Sequence, residues 1–395
     1  MEDAVRIAPE IEDFLHAVRA RKVDQSENLL KQNPSLLNSV EAGGYSALHF
    51  AAFNGDIPML KMLLERKPVI DMENFDGNPP LVMAVRGQQL EAIRFLVNAG
   101  ADVNKESSSG RTAIHYAASM GCLKSLQLLI DLGSKILFES KESGSLLHWA
   151  CHSGDIECIG SMLYVYHIPV NITDKHGGTP LFTAIFMKQF ASVEFLLEHG
   201  ANPNIVIPAD GTTPLHIAVE HSSIGYIRLL LDCGANPMAK NNDDETPIDF
   251  AIRGQKTDFL KELNKPHLPF EKRADEAVRY KNHGNKVFAQ GEYVKAAKFY
   301  TLAIHLDNKN STYFSNRAVS YFNQKAYESA YWDALRCIQL NPSWPRGYVR
   351  KGATELILKK YADAVATANM GLNFDKDNAN LLSIREEASN HLKKA

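Results

Sequence analysis

The sequence contains few cysteines and no long apolar segment. Its five cysteines include no Cys-x-x-Cys pair, and an odd number does not suit a disulfide framework, so we expect a reducing compartment, the cytosol or the nucleus. No run approaches the roughly 18 apolar residues of a membrane-spanning helix. The acidic start, Met-Glu-Asp-Ala-Val-Arg, precedes no apolar stretch of signal-peptide length. The sequence therefore predicts neither membrane insertion nor secretion.

Composition and charge indicate a folded chain with two unlike parts. With 395 residues, 45% of them apolar, the chain is long enough for two or three domains and too apolar to be mainly disordered. The formal net charge is −3, yet the segment from Glu271 to the end carries 20 Lys and Arg against 13 Asp and Glu, a net charge of +7, and the remainder carries −10. The basic segment therefore predicts an acidic partner.

A four-residue motif recurs every 33 to 34 residues within residues 1–264. Its copies are Asp13–His16, Ser46–His49, Pro79–Val82, Thr112–His115, Ser145–His148, Thr179–Phe182, Thr213–His216 and Thr246–Asp249. They are degenerate versions of Thr-Pro-Leu-His, and Gly-Ala turns follow several of them, as at Gly100 and Gly200. This segment resembles the ankyrin family, which implies about eight stacked helix pairs.

The histidines of this motif raise the alternatives of a metal site and of a catalytic Cys–His pair. They are His16, His49, His115, His148 and His216. Stacked helices lie about 8–10 Å apart, whereas the ligands of one zinc ion each lie about 2.0–2.1 Å from it. The ankyrin resemblance implies that these histidines form structural hydrogen bonds near repeat junctions, and that His148 and Cys151 occupy ordinary repeat positions. We therefore expect neither a metal nor a nucleophilic site.

The residue after the histidine position is mostly apolar along the repeats. These residues are Phe50, Met83, Tyr116, Trp149, Thr183, Ile217 and Phe250. Ankyrin repeats normally place a packing residue there, which is the first explanation. The alternative is a surface for a client or signalling partner, with Phe53 and Trp149 as aromatic anchors. The sequence does not identify that partner.

A second repeat, 34 residues long, lies between Ala277 and Phe374. Small residues recur at two fixed positions, which are Gly284, Ala318 and Gly352 for the first and Ala296, Ala330 and Ala364 for the second. This period is typical of tetratricopeptide repeats, in which two antiparallel helices pack through small residues. It predicts helix pairs near 274–306, 309–341 and 344–374, and a capping helix from Asn378 to Lys394.

Five polar residues fall on one face of the first helices of these pairs. They are Lys281, Asn285, Asn316, Arg346 and Arg350. At about 100° of rotation per residue they share a stripe roughly 100° wide, away from the small packing residues, so we expect them to line the concave groove. Their ammonium, guanidinium and amide groups offer hydrogen-bond donors with no acidic residue among them. This combination suits a ligand rich in carboxylate oxygens.

In these positions the segment resembles the tetratricopeptide co-chaperones that clamp the acidic C-terminal tail of cytosolic heat-shock chaperones of the seventy- and ninety-kilodalton classes. The matching strings are Lys281-Asn-His-Gly-Asn285, Ser315-Asn316-Arg317 and Arg346-Gly-Tyr-Val-Arg350. The family usually has lysine at the position of Arg346; arginine keeps the charge and changes its reach and fork geometry.

The resemblance assigns a part to each of the five residues. It implies that Lys281, Asn285 and Asn316 hold the terminal Asp and main-chain carboxylate of a Glu-Glu-Val-Asp tail. It also implies that Arg346 and Arg350 hold upstream oxygens and carbonyls.

Together these features predict an all-α protein made of two α-solenoids. An ankyrin-repeat domain at 1–264 and a three-repeat tetratricopeptide domain at 271–395, with its capping helix, are joined by a linker at 265–270 that contains two prolines. The predicted function is a non-enzymatic adaptor or co-chaperone without a cofactor, which binds a chaperone tail through one domain and an unknown protein through the other.

Other functions are alternatives to this one. One is a scaffold that binds a different acidic or phosphorylated partner. Single-stranded RNA binding is disfavoured because no aromatic platform repeats along the groove, and membrane binding has no supporting feature. An enzyme is disfavoured because no paired acid and base and no metal spacing survives the repeat assignment.

Overall fold

The protein is described by a computed structural model in residues 8–136, 144–221, 223–265 and 270–394. These residues form 23 α-helices, one 3-10 helix and no β-strand, apart from an isolated bridge between Val40 and Ser46. The all-α prediction is therefore confirmed. Within the same residues, no helix combines the length and the hydropathy needed to cross a membrane. The chain divides into two compact units, residues 1–189 and 190–395.

The first unit consists of stacked pairs of short helices. Its described helices are α1 (Pro9–Arg19), α2 (Val23–Gln32), the 3-10 helix (Pro34–Asn38), α3 (Ala47–Asn54), α4 (Ile57–Leu64), α5 (Pro80–Arg86), α6 (Leu90–Asn98), α7 (Ala113–Ser119), α8 (Leu123–Asp131), α9 (Leu146–Ser153), α10 (Ile156–Tyr164) and α11 (Pro180–Phe186). From α3 to α9, the first helix of each pair packs on the second helix of its own pair and on the first helix of the next pair. This is the stacking predicted for ankyrin repeats.

Local sequence explains where the first helix of a pair begins. The backbone N–H of Ser46 donates to Nδ1 of His49 at 3.0 Å and completes a capping box at the start of α3. Pro80 and Pro180 stand at the first position of α5 and α11, where the absent N–H needs no partner. Gly44, in the turn before α3, has a φ of +76°, which a residue with a side chain rarely adopts.

The second unit contains helix pairs of both predicted repeat types. Its described helices are α12 (Phe190–Glu198), α13 (Pro214–His221), α14 (Ile224–Asp232), α15 (Pro247–Arg253), α16 (Thr257–Leu263), α17 (Phe270–Ala289), α18 (Tyr293–Leu306), α19 (Ser311–Asn323), α20 (Tyr327–Leu340), α21 (Pro345–Ile357), α22 (Tyr361–Leu372) and α23 (Ala379–Lys394). Helices α17 to α22 form three pairs as predicted, and α23 packs on α21 and α22 as the capping helix.

The recurring small residues of these pairs lie at helix contacts. A Cβ atom on Gly284 would lie 2.6 Å from Cε1 of Tyr300, and one on Gly352 would lie 3.1 Å from Cγ2 of Ile384. Ala318 is buried at the corresponding position of α19. A larger side chain at these positions would push α17 and α21 away from their neighbours, so the faces opposite the packing side are the ones left for a ligand.

The compact units do not follow the predicted change of repeat type. Helices α12 to α16 belong to the same unit as α17 to α23, because α12 and α14 pack against α18. The predicted domains at 1–264 and 271–395 divide the chain by repeat type and stay a prediction. Residues 266–269 of the predicted linker lie outside the described residues.

Candidate peptide-binding site

The five predicted site residues lie on the first helices of the three C-terminal pairs. Lys281 and Asn285 are one turn apart on α17, Asn316 is on α19, and Arg346 and Arg350 are one turn apart on α21. Asn285 and Arg346 are exposed, and the other three are half-buried. All five therefore keep some surface that a ligand can contact.

Asn285 and Asn316 are joined by a hydrogen bond although they are 31 residues apart. Nδ2 of Asn316 donates to Oδ1 of Asn285 at 3.1 Å, and the hydroxyl of Tyr300 on α18 donates to the same oxygen at 2.8 Å. Both bonds use the carbonyl oxygen of Asn285, so its NH2 group takes no part in them and remains a donor. Tyr300 therefore supports the orientation of this amide.

Arg346 and Arg350 place two like charges close together on α21. Burial, and next the nearby charge of Arg346, lower the pKa of Arg350. The guanidinium carbon of Arg346 lies 5.6 Å from the centre of the Trp344 ring, within cation–π range. Nε of Arg350 is buried and has no hydrogen-bond partner among the described residues. An anion bound here would relieve the repulsion and supply that partner.

Some cations of these helix pairs are matched by an acidic residue one turn away. Arg279 on α17 pairs with Glu276 at 3.0 Å, and Lys295 on α18 pairs with Glu292 at 2.6 Å. Within the described part of the chain, Lys281, Arg346 and Arg350 form no ion pair. We call this face, with Lys281, Asn285, Asn316, Arg346 and Arg350, the clamp groove. No described acidic residue neutralises its three positive charges.

Arg317, the next residue after Asn316, has the opposite environment, and the sequence does not single it out as a site residue. It is only 3% exposed. Its Nε and Nη2 donate to Asp333 at 2.9 and 2.7 Å, and its Nη1 and Nη2 donate to Glu198 at 2.6 and 2.8 Å. Nη1 also donates to Thr301 at 2.8 Å. The guanidinium is therefore buried with its hydrogen-bonding capacity used.

The pKa values of the two acidic partners of Arg317 are shifted in opposite directions, although burial raises both. Burial raises the pKa of Asp333 to about 6, although Arg317 acts in the opposite direction. Burial also opposes ionisation of Glu198, but the charge and hydrogen bonds of Arg317, with His305, hold the pKa of Glu198 below its usual range. Glu198 is therefore the carboxylate that is firmly ionised against Arg317.

Glu194, Glu198 and His305 also have the ligand types of a metal site. Their ligand atoms lie within 4.8 Å of one another, with Nε2 of His305 3.5 Å from Glu198 and 3.7 Å from Glu194. Both oxygens of Glu198 already accept hydrogen bonds from Arg317, so a cation here would lie beside a guanidinium. We therefore interpret this cluster as part of the ion network around Arg317.

Two family models match the chain. The model described as ankyrin repeats (3 copies) matches residues 48–140 and 135–207, and the model described as ankyrin repeats (many copies) matches residues 16–64 and 188–231. Together the matches extend over more than half of the chain. The chain belongs to the ankyrin-repeat family.

Curated relatives of this ankyrin-repeat protein are similar over a shorter segment. The Hsp70-Hsp90 organizing protein of Triticum aestivum is 37% identical over 122 residues, which are 31% of this chain and 20% of that protein. The heat shock protein sti1 homolog of Schizosaccharomyces pombe is 37% identical over 107 residues, which are 27% of this chain and 18% of that protein. This chain thus spans about a fifth of the length of these relatives. The aligned lengths are close to that of α17–α23.

Solved structures similar to the chain contain ankyrin repeats. The human ASB11 ankyrin repeat domain is 27% identical with a TM-score of 0.49, covering 57% of this chain and 100% of that one. The ankyrin repeat domain of Bcl-3 is 28% identical with a TM-score of 0.44, covering 55% of this chain and 99% of that one.

The histidines of the ankyrin repeats are structural. Because the backbone N–H of Ser46 donates to Nδ1 of His49, the ring proton is on Nε2, which donates to the carbonyl of Asn78 at 3.0 Å. His216 repeats this arrangement with Thr213 at 3.2 Å and the carbonyl of Glu245 at 3.1 Å. Both ring nitrogens are used within the repeats, as the ankyrin resemblance implies.

His16 does not follow this pattern. It is exposed in the last turn of α1, because α1 begins at Pro9 and the first copy of the motif falls inside the helix. The expectation of a structural hydrogen bond at a repeat junction is therefore wrong for this residue.

His148 and Cys151 lack the arrangement of a nucleophile and its base. Nδ1 of His148 lies 2.9 Å from Oγ of Ser145, and its Nε2 lies 3.1 Å from the carbonyl of Gly178. Burial raises the pKa of the Cys151 thiol well above its ordinary value. The histidine is already engaged at both nitrogens and the thiol is held protonated, so this pair does not offer an activated nucleophile.

The structure does not bring the two proposed aromatic anchors together. Phe53 lies at the end of α3 and is 44% exposed, whereas Trp149 lies on α9 and is half-buried, with α5 and α7 stacked between these helices. The guanidinium carbon of Arg111 lies 4.7 Å from the centre of the Trp149 ring. Trp149 is thus partly covered by its own repeats, and the partner surface stays a prediction.

Proposed function

We propose that α17–α23 bind the acidic C-terminal tail of a heat-shock chaperone, ending in Glu-Glu-Val-Asp, while the ankyrin repeats bind a client or signalling protein. In this function the chain is a non-enzymatic adaptor, a co-chaperone of the cytosol or nucleus, and needs no cofactor. The observation that carries the proposal is the clamp groove, which combines the Asn285–Asn316 amide pair with Lys281, Arg346 and Arg350, three cations that have no acidic partner among the described residues. The relatives named as Hsp70-Hsp90 organizing proteins support the choice of ligand.

The groove suits a flexible anionic peptide of modest affinity. A hydrogen bond to a charged group contributes about 1.5–3 kcal/mol, and ordering a flexible tail costs about 2–5 kcal/mol. A few such contacts, including one to the unpaired Nε of Arg350, leave a net binding free energy near −8 kcal/mol, which corresponds to a dissociation constant of about 1 μM.

The test is a titration of the full chain with a fluorescent peptide that ends in Glu-Glu-Val-Asp. Arg350→Ala and Lys281→Ala should each weaken binding about 10- to 100-fold. Lys298→Ala is the matched control, because Lys298 is exposed on the second helix α18, outside the clamp groove, and should bind as the wild type does. Unchanged binding in both groove variants would overturn the proposal.

A second candidate function is a scaffold that binds a different acidic or phosphorylated partner. The exposed Arg346 favours it, because a planar guanidinium holds phosphate and carboxylate oxygens in a bidentate manner that lysine does not. The two functions differ in their need for a free chain end. A peptide amidated at its C-terminus should bind far more weakly only if the terminal carboxylate is held, and equal binding of both peptides would favour the scaffold.

A further inference from the structure

We infer that Glu198, in the ankyrin-repeat helix α12, is a positioning residue for the clamp groove. It binds Arg317, the residue that follows Asn316 on α19, and it does so from a repeat 119 residues earlier in the chain. The inference rests on the proposed peptide binding, because it states how one side of that groove is held in place.

The end of α12 and the residue after it contact α19, α20 and the turn between α18 and α19 within the second compact unit. The carbonyl of Leu197 accepts a hydrogen bond at 2.8 Å from Nδ2 of Asn308, between α18 and α19. The ring of Phe195 meets Trp332 of α20 edge to face, with the ring centres 6.4 Å apart. His199, stacked on Phe195 at 3.9 Å, lies 6.1 Å from Phe314 of α19. Glu198 is therefore presented to Arg317 by a packed surface.

Two acids fix the guanidinium of Arg317 from different helices. Asp333 on α20 accepts from Nε and Nη2, and Glu198 on α12 accepts from Nη1 and Nη2, so each carboxylate binds through both oxygens. Such bidentate contacts fix direction as well as distance. Because Arg317 is anchored on both sides, the rotation of α19 about its axis is restrained.

Asn316 is sensitive to that rotation. Asn316 and Arg317 are consecutive residues of α19, and their side chains leave the helix about 100° apart. A rotation of the helix therefore moves both side chains through the same angle. A rotation of about 10° would move an atom about 6 Å from the helix axis by about 1 Å. The Asn316–Asn285 hydrogen bond is 3.1 Å long, near the upper end of the normal range. Loss of the Glu198 anchor should therefore loosen the amide pair before it affects Arg346 or Arg350 on α21.

Glu198→Gln tests this inference in the full chain. It keeps the side-chain shape and removes the charge that faces Arg317. Glu262→Gln is the matched control, because Glu262 is also buried and ion-paired in the same compact unit, with Arg228 and Lys265, but belongs to α16. We expect Glu198→Gln to weaken binding of the Glu-Glu-Val-Asp peptide about 5- to 10-fold and Glu262→Gln to leave it within about 2-fold.

Double variants separate positioning from general loss of stability. If Glu198 acts through Asn316, Glu198→Gln should weaken binding less than about 2-fold in an Asn316→Ala background and still about 5- to 10-fold in an Arg350→Ala background. The inference would be overturned if Glu198→Gln changed peptide affinity equally in both backgrounds. It would also be overturned if Glu198→Gln alone left the affinity unchanged. A general loss of stability would not produce this difference between the two backgrounds.

If the wild type does not bind the peptide, the proposed function is refuted, and amide hydrogen exchange then tests the role of Glu198 by itself. Exchange of the α19 amides should be faster in Glu198→Gln than in the wild type and unchanged in Glu262→Gln. Unchanged exchange of α19 in Glu198→Gln would overturn the inference. If Glu198→Gln does not fold, Asn308→Ala takes its place, because it removes the neighbouring hydrogen bond to Leu197 without leaving a buried charge unpaired. We expect the same dependence of peptide affinity on the background and the same rise of exchange in α19, both smaller than for Glu198→Gln.

Discussion

The ankyrin repeats and the C-terminal helix pairs both repeat polar residues at one-repeat spacing, but they use them in different ways. In the ankyrin repeats, both ring nitrogens of His49 and of His216 are engaged with their own and the next repeat. In the clamp groove, Arg350 has a buried Nε with no partner among the described residues. Recurrence alone therefore does not identify a binding site; the partners that each recurring side chain already has must be compared as well.

Two neighbouring residues of α19 show the same contrast at short range. Arg317 is buried and neutralised by Asp333 and Glu198, whereas Asn316 is half-buried and its side-chain amide donates to Asn285 across the groove face. A charge that the fold neutralises contributes to holding the helices together. A polar group that the fold leaves accessible contributes to recognition.

Loss of the buried charge of Arg317 should destabilise the protein more than any other change considered for these helices. Arg317→Ala leaves Glu198 and Asp333 buried without their cation and should lower the free energy of unfolding by about 3–5 kcal/mol. Arg346→Ala removes an exposed charge and should change it by no more than about 0.5 kcal/mol. Urea unfolding followed by circular dichroism measures both. Similar losses in the two variants would contradict the distinction between structural and accessible cations.

A smaller effect is expected from pH on the buried histidines. Burial, and next the charge of Arg111, lower the pKa of His115 to about 4, and burial lowers that of His199 to about 3, from an ordinary value of 6.5. The unfolded chain binds protons at these rings below about pH 6.5, whereas the folded chain binds them only below about pH 4 at His115 and about pH 3 at His199. Stability is therefore full above pH 6.5 and falls as the pH decreases, by about 2 kcal/mol per ring between pH 7 and pH 5.

Unfolding of His115→Gln at both pH values checks this sign. The free energy of unfolding should differ between pH 7 and pH 5 by about 2 kcal/mol less in the variant than in the wild type. His176→Gln, at an exposed position, is the control and should keep the dependence of the wild type. If His115→Gln keeps it too, the ankyrin histidines are not held neutral by burial.

Much of the clamp groove could be predicted because helical rotation is regular. The repeat period places Lys281, Asn316 and Arg350 on first helices, and the structure has them on α17, α19 and α21. The pairing of Arg317 with Asp333 follows the 34-residue period, although the residue types differ between the pairs. The residue at the position of Arg317 contacts a residue 16 positions later in each pair: His283 with Phe299, Arg317 with Asp333, and Lys351 with Thr367.

Glu198 could not be predicted in this way. It comes from a different type of repeat, and neither period relates residue 198 to residue 317. An arginine on the packing side indicates that an acid must lie nearby, because a buried charge requires a partner, but it does not say which acid. The same long-range packing of α12 and α14 on α18 explains why the compact unit begins at residue 190 and not at the predicted linker.

Salt should weaken peptide binding in the clamp groove. The clamp groove is partly exposed and its cations would act on an anionic ligand through water, so ions should screen the attraction. Peptide affinity of the wild type should fall about 10-fold between 0.05 and 0.5 M salt. The affinity of Arg350→Ala should fall less over the same range, because one charge is missing. Fluorescence titration at several salt concentrations measures this. Affinity independent of salt would indicate that the cations of the groove do not carry binding.

The smallest expected effect is at Tyr300, which supports the groove without contacting the proposed ligand. Tyr300→Phe removes the hydroxyl that donates to Oδ1 of Asn285 at 2.8 Å, so the amide loses one of its two restraints. Peptide affinity should fall about 2- to 3-fold and the free energy of unfolding by about 1 kcal/mol. Tyr348→Phe is the control: its hydroxyl donates to the carbonyl of Pro342 at 2.7 Å. Tyr348→Phe should lower the free energy of unfolding by a similar amount and leave peptide affinity unchanged. Equal peptide affinities of Tyr300→Phe and Tyr348→Phe would mean that Asn285 needs no support from α18.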